Sequence, residues 1–154
     1  MTVNKKLLIF LSTHLMIWTL IPSITNSNLP LDTIEALAWS SNLDWGFAKH
    51  PPLSALFPEI FYQIFGPQDW AYYFLSQLFV IIAFYYVYLF SLEILNNNHA
   101  FLSVILLEGI FFYNFLTPEF NVNVCQLPFS AMPVYYSHQC FNKNKAKDYF
   151  ILGL

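Results

Sequence analysis

Two acids three residues apart, Asp32 and Glu35, open the most polar stretch of a very apolar chain. A lysine and a histidine, Lys49 and His50, follow against the double proline Pro51-Pro52. A carboxylate acts as a general base when it sits within hydrogen-bond reach of the hydroxyl whose proton it takes. A lone cation beside a proline-stiffened turn is placed to meet a phosphate, which lysine serves as a point charge. Each residue also has a plain structural reading. Asp32 caps a helix and Glu35 reaches back to it, as in a capping box. Lys49 snorkels from an apolar surface. The two readings of Asp32 are compatible, because one carboxylate can cap a helix and act as the base. A single histidine is not a metal site, and no second ligand spacing accompanies His50.

Two further acids lie downstream. Glu119 sits in a polar break at residues 117–121 and is placed to face Asp32 across a small cleft; the plain alternative is a solvated loop acid. Glu108 falls inside an apolar run, where an acid is costly and becomes a functional candidate by default. Its alternative is a protonated carboxyl bonded to a neighbouring helix. Gln126, His138 and the prolines of the apolar runs read as packing or bending residues.

The elements that hold these residues are membrane spans. The chain has 154 residues, is 57% hydrophobic and only 10% charged, well below the quarter charged of soluble domains. It contains no arginine and its net charge is -3, which excludes a nucleic-acid partner. Apolar runs at about residues 7–24, 70–95, 100–116 and 122–140 predict four spans. The two lysines before the first run also suit a signal peptide, but no small-residue cleavage site follows. A long outer loop covers residues 26–69. Within it a short helix from Asp32 presents Ile34, Leu37 and Ala38 on its apolar face. Leu43 to Phe47 ends that helix, with Gly46 permitting a turn. A second helix carries Leu53, Leu56, Phe57, Ile60, Phe61, Ile64 and Phe65 at helical spacing, with a bend at Pro58. Cys125 and Cys140 lie roughly 22 Å apart along the fourth run, too far to bridge.

Five of the six lysines lie before the first run or after the fourth. Four spans put those segments on one side, and the positive-inside rule makes that side cytoplasmic. The loops of Asp32 and Glu119 then share the outer face, periplasmic in a bacterium and lumenal in a eukaryote. Five of the nine acids lie in the first outer loop. The reading is an all-α, multi-pass membrane protein of about four spans, with amphipathic helices in the first outer loop.

Leu31-Asp32-Thr33-Ile34-Glu35-Ala36, followed by Trp45-Gly46-Phe47-Ala48-Lys49-His50-Pro51-Pro52-Leu53, resembles the first outer loop of bacterial glycosyltransferases related to dolichyl-phosphate-mannose protein mannosyltransferases. The lipid A aminoarabinose transferases belong to the same broad group. Thr117-Pro118-Glu119-Phe120-Asn121-Val122-Asn123 is similar to their second outer loop, and the closing Lys147-Asp148-Tyr149-Phe150-Ile151-Leu152-Gly153-Leu154 resembles the start of their fifth span. The joint occurrence of the two first-loop motifs at this spacing is what makes the resemblance specific. It implies the N-terminal part of a GT-C fold, spanning residues 1–154, with its active site at the outer face of a bacterial inner membrane. It implies transfer of a sugar from a polyprenyl-phosphate donor to a lipid, glycan or protein acceptor. Asp32 is then the catalytic base, Glu35 positions substrate or Asp32, Glu119 is the second-loop acid, and Lys49 with His50 binds substrate at the donor phosphate. No cofactor is firmly implied. A divalent cation is compatible with the family, but Ala48 stands where the aminoarabinose branch has an acid, which weakens a carried-over metal site and that particular substrate. Family members are several hundred residues long, so the expectation is a front portion that is inactive alone. The competing expectation is a non-catalytic remnant or accessory membrane protein.

Overall fold

In lipid, an apolar run satisfies its backbone polar groups within itself only as a helix. In the computed structural model, which describes residues 5–42, 44–144 and 146–153, the chain is all-helical, with no strand among the described residues. Helix α1 covers Lys5–Thr25, α2 Leu31–Ser40, α3 Leu53–Phe65, α4 Asp69–Leu92, α5 Asn97–Glu108, α6 Val122–Lys143 and α7 Ala146–Leu152. A single π-helical turn, Phe112–Leu116, lies between α5 and α6. The predicted polar start before Lys5, the chain break from Leu43 and the charge at Lys145 lie wholly or partly outside the described residues.

Helix α4 is the axis of the bundle. It packs against α1, α3, α5 and α6. Its buried side carries Leu75, Phe79, Val80, Phe84 and Tyr88, which meet Leu7 and Leu11 of α1, Ala100 and Val104 of α5, and Val124 of α6. Lipid is as apolar as these side chains, so close packing holds such helices together. Ring contacts supply part of it. Phe79 meets Phe57 edge-on at 4.8 Å and Phe120 at 5.6 Å. Each such pair contributes about 0.5–1.5 kcal/mol beyond its area.

Two helices, α1 and α4, are long and apolar enough to cross a membrane among the described residues. The other two expected spans differ from their sequence reading. The run 100–116 is not one helix. It stops at Gly109 and resumes as the π turn, because the Asn114 amide donates to the Glu108 carbonyl and takes up an end of α5. Helix α6 is 22 residues long, but Asn123, Gln126, Ser130, Ser137 and His138 dilute its apolar character.

The loop expected to lie outside, residues 26–69, also departs from expectation. No capping box forms. Helix α2 begins at Leu31 with Pro30 at its cap, so Asp32 lies inside the first turn and Glu35 points elsewhere. Its buried face is Thr33, Ala36 and Ser40, while Ile34 is exposed. Small residues let α2 sit close to its neighbours, and the larger apolar ones are left outside. Helix α3 runs unbroken through Pro58. Only one edge of its stripe packs: Phe57 and Phe61 face the core, whereas Leu53, Ile60 and Ile64 are exposed.

Candidate active site

The first helical N–H groups of α2 have no partner within the helix. One of them is satisfied from the far end of the chain. The Asp32 N–H donates to Oε1 of Glu119 at 3.0 Å. A carboxylate suits that position, because the helix N-terminus is the positive end of its dipole. The Asp32 carboxylate lies beside the same loop. The Asn121 amide reaches its Oδ2 at 3.4 Å. Asn121 also caps α6, since its Oδ1 accepts from the N–H groups of Asn123 and Val124 at 3.0 and 3.1 Å. The helix cap orients the amide, and the orientation turns its NH2 toward Asp32. The Thr33 hydroxyl donates to the Phe120 carbonyl at 3.2 Å and completes the junction.

Lys49 does not stand alone as the sequence reading has it. Its Nζ donates to Oε1 of Glu35 at 2.8 Å. That hydrogen bond, and then the carboxylate charge, raise the Lys49 pKa above its ordinary value, with Asp32 adding to the effect. Lys49 is therefore a firm cation near Glu35 and Asp32. Trp39 holds its turn in place. The indole stacks on Phe47 at 5.4 Å and takes the edge of His50 at 5.3 Å, while the Phe47 N–H donates to the His50 carbonyl at 3.1 Å.

The predicted site residues Asp32, Glu35, Lys49 and His50 thus share one surface with Glu119. A crevice between Asp32, Glu35, Trp39, His50, Ser54 and Asn121 holds about 10 Å³, room for about one water molecule. A larger cleft of about 310 Å³ opens on the other side of Glu119. Its walls are Trp18, Ile21, Pro22 and Thr25 of α1 against Phe115, Leu116 and Pro118. It is apolar along the span and polar at its Glu119 end. Among the described residues no three His, Cys, Asp or Glu side chains gather as metal ligands. Glu35 is engaged by Lys49 and Glu119 by the α2 N-terminus, which leaves Asp32 with the Asn121 amide alone. Cys125 and Cys140 are both free and buried.

Sequence reasoning gave no role to Asn121, Thr33 or Trp39. Asn121 was visible within the second-loop motif, and its place before an apolar helix is a cap signal. Thr33 and Trp39 carry no sequence signal for what they touch.

Residues 49–154 match the family described as dolichyl-phosphate-mannose-protein mannosyltransferase. The match covers more than half of the chain, and the chain belongs to this family of membrane glycosyltransferases. Lys49, His50, Glu119 and Asn121 fall within the matched residues, whereas Asp32 and Glu35 precede them. No curated protein matches the chain. No solved structure matches it either.

Proposed function

We propose that the chain forms the outer-face active site of a transferase that moves a sugar from a polyprenyl phosphate to an acceptor hydroxyl. The observation that carries this reading is the meeting of Asp32, Glu119 and Asn121 from two loops 87 to 89 residues apart, beside Lys49. Family membership supports the reaction class and the donor chemistry. The cleft along α1 suits a prenyl tail, with its polar end at Glu119. In the proposed step the acceptor oxygen attacks the anomeric carbon. The bond from that carbon to the phosphate oxygen breaks, and its electrons leave with the polyprenyl phosphate. Asp32 takes the acceptor's proton. Lys49 faces the phosphate with Glu35 keeping it charged and aimed, and His50 lines the rim. Glu119 holds the helix that carries Asp32.

Transfer from a radiolabelled polyprenyl-phosphate sugar is the test, in membranes carrying the chain. Asp32→Asn is expected to lower the rate by about 10²–10⁴-fold, the usual worth of a general base, with unchanged membrane insertion. Lys49→Ala is expected to weaken donor binding. An Asp32→Asn protein as active as the parent rules out the base assignment. Donor left unchanged by the chain counts against activity on its own and leaves the family assignment intact.

A further inference from the structure

A run of polar side chains, half-buried at Trp18 and Glu108 and buried from His14 onward, crosses the bundle below the site. Trp18 Nε1 donates to Oε1 of Glu108 at 2.9 Å, and Oε2 of Glu108 lies 2.6 Å from Nδ1 of His14. His14 Nε2 is 3.0 Å from Oε1 of Gln77, and Gln77 Nε2 is 3.3 Å from Oγ1 of Thr117. His14, Gln77 and Thr117 are all at most 3% exposed. The Ser76 hydroxyl donates to the Thr117 carbonyl. The transfer chemistry uses none of these groups, yet leaving any of them unpaired here is expensive.

Proton arithmetic makes the run a single unit. The Thr117 hydroxyl donates to the Tyr113 and Asn114 carbonyls, both at 3.2 Å, so toward Gln77 it accepts. The Gln77 amide therefore donates to Thr117, and its Oε1 faces the His14 Nε2–H. Thr117 fixes Gln77, Gln77 fixes His14, and Glu108 closes the run at Nδ1. Thr117 stands two residues before Glu119. At the loop's other end Phe120 is fully buried and its carbonyl receives the Thr33 hydroxyl. Between these two fixed points Glu119 is held where it meets the Asp32 N–H.

We propose that Gln77 and Thr117, backed by the His14–Glu108 pair, are positioning residues that clamp the loop of Glu119 against Asp32. Its catalytic meaning rests on the transferase reading above, but the clamp itself can be measured without activity. In a Cys125→Ala, Cys140→Ala background, Asp32→Cys and Asn121→Cys are joined in membranes by a short bifunctional thiosulfonate. The parent pair is expected to link readily. Thr117→Val and Gln77→Leu are expected to slow linking about five-fold, the equilibrium factor of one such hydrogen bond. Thr117→Ser, which keeps the hydroxyl, restores the rate. Helix content and membrane insertion are followed alongside; if Thr117→Val fails to insert, the Gln77→Leu rate decides. A parent pair that does not link, or valine and leucine variants that link as fast as the parent, overturns the clamp. With native thiols and an intact Asp32, Thr117→Val is expected to lower kcat at least about tenfold through misplacement, with KM unchanged and Thr117→Ser active. Loss of linking control together with retained Asp32-dependent transfer would sink the clamp alone. Normal linking control with Asp32→Asn still active would sink the base assignment alone.

Discussion

Lys49 shows how a residue changes meaning when its neighbour is seen. As a lone outer cation it reads as a phosphate holder. In the structure it is paired with Glu35, and its side chain is 63% exposed. An exposed pair of this kind adds little to stability, under about 1 kcal/mol. Glu35→Gln is therefore expected to leave the thermal midpoint within a few degrees of the parent. It is also expected to lower the Lys49 pKa toward its ordinary value, because the main cause of the rise is removed. Nitrogen-detected titration of the Lys49 amine checks this, and an unmoved Lys49 would show that Glu35 is not its partner in solution. The raised value keeps Lys49 protonated well above neutral pH, so loss of donor binding through Lys49 itself is expected only on the alkaline side. The pairing was not legible from residue types, because 14 residues and a turn separate the partners.

At the scale of elements, helix α2 depends on a carboxylate from a distant loop. Glu119→Ala removes its only described trans cap and is expected to cost about 1 kcal/mol, the usual worth of a cap. Glu119→Gln keeps an acceptor and costs less. Faster hydrogen exchange at the Asp32 amide in the alanine variant, and not in the glutamine one, is the signature. At the other end of α4, Lys143 at the end of α6 donates to Glu93, just past the end of α4, at 2.9 Å. The hydrogen bond from Lys143 holds the Glu93 carboxyl below its ordinary range. Its contribution is present above the ordinary glutamate pKa and is lost as pH falls through the depressed folded value. Glu93→Gln is thus expected to lower the thermal midpoint slightly at neutral pH, with the difference vanishing in acid.

The elements themselves were mostly legible. Helices α1 and α4 follow from unbroken apolar runs, and the helical spacing from Leu53 marks α3. The break of the third run was not legible, since hydropathy does not register one Asn114 amide folding back on the Glu108 carbonyl. The capping box failed for a related reason. Its two residues have the right spacing, but Glu119 and Lys49 offer them partners that only the folded chain brings near.

For the whole molecule, the lysine distribution predicts one sidedness, with Asp32 and Glu119 outside. Trp45 is 95% exposed in the first outer loop, and Lys147 lies beyond α6. On the four-crossing reading, Trp45→Cys is expected to react with an impermeant maleimide added outside intact cells. Lys147→Cys is expected to react only after permeabilisation, and the reverse pattern would refute the orientation. The same reading gives the break at Gly109 a mechanical consequence. Helix α5 has 12 residues, a rise of about 18 Å against a hydrocarbon slab of about 30 Å. On that reading, lipids bordering this flank are expected to meet a wall shorter than their own tails, and the bilayer to thin there at a fraction of a kcal/mol per Å of mismatch. The headgroups are then expected to be drawn down along this flank, toward the loop that carries Glu119.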